Sequence, residues 1–145
     1  MQTGKEPRDL LLDTHVWIWL VNGEKKLQTG PLARLIREKD FSSRIWISVM
    51  SVWEVGMLEA KGKIEFPWDC SEWVRRALQA PGIALAPLTS EVAIASSRLA
   101  GEFHGDPVDR ILVAAAQNLG ALLVTQDSRI LAYARHHPLR VLSAY

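Results

Sequence analysis

The chain has 145 residues, 48% hydrophobic and 23% charged, which predicts one globular domain with room for a core. Its formal net charge of +1 excludes a polycationic nucleic-acid binder, although balanced totals can hide a local basic groove. A single cysteine, Cys70, excludes an intramolecular disulfide and suits a reducing compartment. No run approaches the roughly 20 apolar residues of a membrane span, and the polar N-terminus lacks a signal-peptide core. The expectation is a cytoplasmic protein with no membrane association, a polar tail over residues 1–8 and a single domain over 9–145.

In chain order, Asp9 to Leu12 is a short run, apolar on both faces, that suits a central parallel strand and ends at Asp13. Thr14 to Leu20 reads as a helix that stops near Asn22-Gly23. Thr29-Gly30-Pro31 opens a second helix with Leu32, Leu35 and Ile36 on its apolar face. Arg44 to Ser48 is a second strand. The following helix carries Val52, Glu54, Val55 and Leu58 and ends near Lys61-Gly62-Lys63. After the Phe66-Pro67-Trp68 break come a helix from about Ser71 to Gln79 and a third strand, Ile83 to Ala86. Thr89-Ser90-Glu91 starts an Ala-rich helix running to about Ala100.

Asp106 stands at an N-cap position, Pro107 at the first helical position and Asp109 three residues after the cap. Val108, Ile111, Leu112, Ala115 and Leu119 then recur at helical spacing, so one face of this helix belongs on a core. Ala121 to Thr125 is a fourth strand with Gln126-Asp127-Ser128 at its end. A last helix carries Ile130, Leu131 and Tyr133, and Leu139 to Leu142 is an edge strand. Strands alternating with helices predict a three-layer α/β/α domain around a mostly parallel sheet of about four or five strands.

In such sheets the functional crevice lies beyond the carboxyl ends of the strands. Asp13 directly follows the first strand, Asp127 lies two residues past the fourth, and Glu54 falls about one and a half turns into the helix after the second. Asp106 and Asp109 open the helix before the fourth strand. Each acid alone has an ordinary explanation: Asp13, Asp106 and Asp127 as helix caps, Glu54 as a solvated helix residue. Gathered on one rim they would disfavour one another's ionisation unless a cation offset them. An all-oxygen set without histidine favours a hard ion, Mg²⁺ or Mn²⁺, over zinc.

Four stretches carry a family resemblance: Leu11-Leu12-Asp13-Thr14; Ile47-Ser48 leading to Glu54; His104-Gly105-Asp106-Pro107-Val108-Asp109-Arg110; and Leu123-Val124-Thr125-Gln126-Asp127. In this order they resemble the PIN-domain nucleases, and most of all the VapC-type toxins of bacterial and archaeal toxin–antitoxin pairs. The resemblance runs from about Asp9 onward. It implies Asp13, Glu54, Asp109 and Asp127 as catalytic, metal-binding acids, with Asp106 as the N-cap reaching the ion through water. Thr14, a hydroxyl directly after the first acid, would orient Asp13 or bind the ion's water, and Arg110, next to Asp109, is read either as an RNA-contacting cation or as an ion pair holding the site's shape. The resemblance further implies a Mg²⁺- or Mn²⁺-dependent endoribonuclease leaving a 5′-phosphate, a homodimer, and an antitoxin partner.

An acidic pocket repels an RNA backbone, so flanking cations are needed; Arg44, Lys61, Lys63, Arg110, Arg129 and Arg135 are the candidates. His15, His104, His136 and His137 show no metal-ligand spacing, and His104 is expected to pack in its loop. Of the six tryptophans most are expected in the core, with Trp68 and Trp73 exposed as protein-contact anchors. Two rivals stand beside the nuclease: a PIN-like binding module without catalysis, and an aspartyl-phosphate domain. The second needs a late lysine, and none follows Lys63.

Overall fold

The computed structural model describes residues 9–38, 43–103 and 105–145. The expected polar tail over 1–8 and His104 lie outside the described residues. The element order is β1 (Leu10–Leu12), α1 (Thr14–Val21), α2 (Pro31–Glu38), β2 (Ile45–Ser48), α3 (Val49–Ala60), α4 (Cys70–Leu78), β3 (Ile83–Ala86), α5 (Ser90–Ser96), α6 (Pro107–Leu119), β4 (Leu122–Thr125), α7 (Ser128–Ala134) and β5 (Val141–Ser143). A short 3-10 turn, Lys25–Leu27, joins α1 to α2.

The five strands form one parallel sheet in the order β3-β2-β1-β4-β5. β1 is central because its three leucines are at most 1% exposed and pack on both sides of the sheet. Leu10 and Leu12 enter a core with Val16 and Trp17 of α1, Leu32 of α2, Val55 of α3 and Trp73 of α4. Leu11 points the other way, into a core with Val92 of α5, Leu112 and Val113 of α6, and Ile130 of α7. Period-two alternation along β1 therefore explains both helical layers. Each fully buried leucine contributes roughly 1.5–3 kcal/mol of apolar burial.

Strand order reverses between β1 and β4. The chain moves outward through β2 and β3, then returns to place β4 on the other flank of β1. Leu12 pairs with Val124, and the Asp13 amide donates to the Val124 carbonyl at 2.9 Å. The carboxyl ends of β1 and β4 are thus side by side at a topological switch point, where open α/β sheets form their crevices.

The sequence reading differs from the structure in a few places. α5 ends at Ser96 rather than near Ala100, and the Ser96 and Ser97 hydroxyls donate to the Ala93 and Ile94 carbonyls at 2.7 Å. Serine hydroxyls competing for backbone carbonyls give the helix an exit. Trp73 is buried, not exposed: it stacks on Phe66 at 4.4 Å and meets Trp17 edge-on at 5.1 Å. The exposed tryptophans are Trp53 (54%) and Trp68 (45%), the latter under the Arg76 guanidinium. Among the described residues, no helix is long and apolar enough to cross a membrane.

Candidate active site

Three helices begin at the rim above β1 and β4, each with an aspartate as its cap. Asp13 caps α1, its Oδ1 accepting from the Thr14 amide at 2.7 Å. Asp106 caps α6, its Oδ1 accepting from the Asp109 amide at 2.9 Å. Asp127 caps α7, accepting from the Arg129 amide at 2.8 Å and the Ile130 amide at 3.2 Å. The capping reading is therefore correct for all three, and it accounts for their backbone positions. It does not account for what their remaining oxygens face.

Thr125, the last residue of β4, links two of the acids. Its hydroxyl donates to Asp13 Oδ2 at 2.6 Å and accepts from the Asp127 amide at 3.0 Å. Asp109, in the first turn of α6, is buried. Arg129 Nη2 donates to Asp109 Oδ2 at 3.0 Å and to Asp127 Oδ2 at 3.2 Å. Gly105 lets the preceding loop pass close by: a Cβ there would collide with the Phe103 ring and lie 2.8 Å from Asp109 Cβ. Arg110 turns away from solvent and holds that loop, donating to the Ser96 carbonyl at 2.9 Å and the Phe103 carbonyl at 2.8 Å.

The carboxylates sense one another. Burial pushes Asp109 up to about 7, and the charges of Asp106, Asp127 and Asp13 add to this against the opposing pull of Arg129. Burial also raises Asp13, which hydrogen bonds from Thr125 and Thr14 and the charge of His15 partly offset. Asp127 ends below its ordinary value: desolvation raises it, but hydrogen bonds from the Arg129 side chain and the Ile130 and Arg129 amides prevail.

The structure thus brings Asp13, Asp109 and Asp127 into one electrostatic cluster with Asp106 beside it. Glu54, on α3, is half-buried and is not among the leading charges acting on the other acids. Among the described residues, no three His, Cys, Asp or Glu side chains stand close enough to hold a metal ion as placed. The Thr14 hydroxyl donates to Ser51 Oγ of α3 at 2.8 Å, so Thr14 supports Asp13 through its amide instead.

Two residues named in the sequence take partners that it does not reveal, Thr125 on Asp13 and Arg129 on Asp109 and Asp127. Thr125 carried a signal, a hydroxyl closing a buried strand two residues before an acid. Arg129 was read as an RNA-facing cation, whereas it pairs with Asp109 and Asp127.

A desolvated carboxylate facing three others has an unmet need for positive charge, and one half-exposed arginine supplies only part of it. The acids offer oxygen donors only, a chemistry that favours a hard divalent cation over zinc.

The PIN domain family model matches residues 10–136. The chain is 25% identical over 132 residues to the ribonuclease VapC22 of Mycobacterium tuberculosis (strain ATCC 25618 / H37Rv), spanning 91% of this chain and 97% of that protein. Its fold is similar to that of VapBC-1 from nontypeable Haemophilus influenzae, with a TM-score of 0.66 at 18% identity over 93% of this chain and 97% of that one. It is likewise similar to VapBC2 from Rickettsia felis bound to a promoter DNA fragment, with a TM-score of 0.65 at 16% identity over 92% and 97%. With its parallel five-stranded sheet, its rim of aspartates and a family match along nearly its whole length, the chain belongs to the PIN domain family.

Proposed function

We propose that this chain is a Mg²⁺- or Mn²⁺-dependent endoribonuclease acting as the toxin of a VapBC-type pair. The observation that supports the reading is electrostatic: Asp127 acts on Asp13, and Asp13 and Asp127 both act on Asp109, which burial holds up to about 7. The likeness to a protein named as a ribonuclease supports the chemistry, and the likeness to VapBC structures supports the toxin role.

In this reading Asp13, Asp109 and Asp127 would hold the ion, with Glu54 of α3 and Asp106 as further acids of the pocket. When bound, a divalent cation supplies the charge that acidifies a water and offsets the phosphodiester's negative charge. The remaining roles belong to the chain. Thr125 and the Thr14 amide fix both oxygens of Asp13. Arg110 holds the loop beside Asp109 in place. Arg129 pairs with Asp109 and Asp127 and offsets part of their charge. Hydrolysis in line at phosphorus leaves a 5′-phosphate.

The partners follow the same reading. An apolar cleft of about 330 Å³ between α1 and α2, lined by Leu20, Leu27, Ala33 and Ile36, suits a segment of the antitoxin. Leu85, Leu88 and Ile94 are exposed on edge strand β3 and the segment through α5, and suit a homodimer contact.

The test is cleavage of a structured RNA in Mg²⁺ by wild type, Asp13→Asn and Asp109→Asn. Wild type should cleave and each variant should lose about 10²-fold or more. Undiminished activity in the variants would remove the assignment. One observation favours the alternative of a binding module without catalysis: Arg129 already pairs with two of the acids. That alternative predicts RNA or protein binding by wild type with no cleavage at all.

A further inference from the structure

Beside the acid rim lies a surface strip that the hydrolytic chemistry does not use. His15, in the first turn of α1, is exposed, and its charge acts on Asp13. One turn further, Trp19 approaches it with ring centroids 6.3 Å apart. Trp19 meets the Tyr145 ring at 5.7 Å and 51°. Lys26 places Nζ 3.8 Å from the Trp19 centroid and 4.9 Å from that of Tyr145. Tyr145 remains 46% exposed.

The position of this strip is fixed by the site itself. Gln126 Oε1 accepts from Ser143 Oγ at 2.6 Å, from the Ala144 amide at 2.5 Å and from the Tyr145 amide at 3.4 Å. Gln126 sits between Thr125, which holds Asp13, and Asp127. Ala144 is buried in the core. On the far side, a Cβ on Gly30 would lie 2.8 Å from the Ala144 carbonyl oxygen and 2.9 Å from Tyr145 Cα, so glycine is what lets this segment lie against the start of α2. The turn that carries Asp127 therefore also anchors the backbone at Tyr145.

An exposed Tyr145 ring and an exposed His15, backed by the partly buried Trp19 and with a cation among them, match the chemistry of a nucleic-acid strand. A base stacks on an aromatic face while a neighbouring cation meets the backbone. We infer that His15, Trp19, Tyr145 and Lys26 form a stacking platform for an unpaired base of RNA beside the scissile phosphate. Tyr145 offers the stacking face, Trp19 backs it, and Lys26 contacts the adjoining phosphate. This rests on the ribonuclease reading above and adds to it the residues that would hold a base next to the cut.

The test measures binding of a fluorescein-labelled, random-sequence single-stranded RNA nonamer in EDTA, by anisotropy. Binding of an abasic nonamer is measured in parallel, and so is Mg²⁺-dependent RNA cleavage by wild type. Tyr145→Leu should weaken binding of the base-bearing RNA about tenfold, leave the abasic strand unchanged, and be rescued by Tyr145→Phe. Lys26→Ala should weaken both strands and flatten the salt dependence. If wild type cleaves RNA but folded Tyr145→Leu and Trp19→Leu bind both strands like wild type, the platform is wrong and the nuclease reading stands. Equal losses on both strands, or losses confined to a protein partner, would also overturn stacking. A wild type that neither binds nor cleaves RNA takes both readings down together.

Discussion

Two carboxylates with arginine neighbours show what separates a site from a surface. Glu72 on α4 pairs with Arg75 and Arg76, and hydrogen bonds from these two hold it down to about 2. Asp109 on α6 pairs with Arg129, yet stands at about 7. Both acids sit in the first turn of a helix, where the dipole favours a negative charge. The difference is that Glu72 is solvated and meets two cations. Asp109 is buried and meets one arginine shared with Asp127, with two further aspartates nearby. A helix N-terminus and an ion pair thus do not define the site; uncompensated negative charge in a dry place does.

The strongest way to break this contrast is by pH. Asp109 has a folded-state value near 7, against 3.8 for the ordinary group, so between these limits the folded chain binds more protons than the unfolded one. Stability must then fall as pH rises from about 4 to 7, by roughly 1–3 kcal/mol for this group. The raised value of Asp13 acts in the same direction. Asp127, which is lowered, contributes stability that is lost only at acid pH, below this window. Thermal melts at about pH 5 and pH 7.5 should show a lower Tm at the higher pH, and Asp109→Asn should remove most of the difference. A wild-type Tm that is flat or rises with pH contradicts the shift.

A smaller change comes from removing the shared cation. Arg129→Gln should move the Asp109 titration upward, as read from its carboxyl carbon by NMR, because the one opposing charge is gone. A downward movement would mean that Arg129 does not oppose the like charges. The smallest effect belongs to the surface pair. Glu72→Gln should leave the Tm and the pH profile unchanged, since exposed ion pairs contribute little. A Tm change matching that of Asp109→Asn would erase the distinction between the two acids.

Much of this was legible before any coordinates. The strands read correctly because buried parallel strands are apolar on both faces, as Leu10 to Leu12 show. Asp13, Asp106 and Asp127 read correctly as caps, and strand order then places Asp13 and Asp127 together. Illegible was whatever depends on side chains meeting from distant elements. The bond from Thr125 to Asp13 spans 112 residues. The burial of Trp73 depends on Trp17 and Phe66, which polar neighbours such as Arg75 and Arg76 on the same helix disguise. The direction of Arg129 and Arg110 was equally hidden, because a long cationic side chain serves a substrate or a carbonyl with the same sequence signature.

The proposed function requires that Asp13, Asp109 and Asp127 share a divalent cation. The most direct measurement is a calorimetric titration of wild type and Asp109→Asn with Mn²⁺ near pH 7, repeated in two buffers of different ionisation enthalpy. Saturable binding by wild type is expected, with release of about half a proton as the half-protonated Asp109 ionises, and with loss of both signals in Asp109→Asn. Absence of Mn²⁺ binding by folded wild type, or undiminished binding by Asp109→Asn, would contradict it.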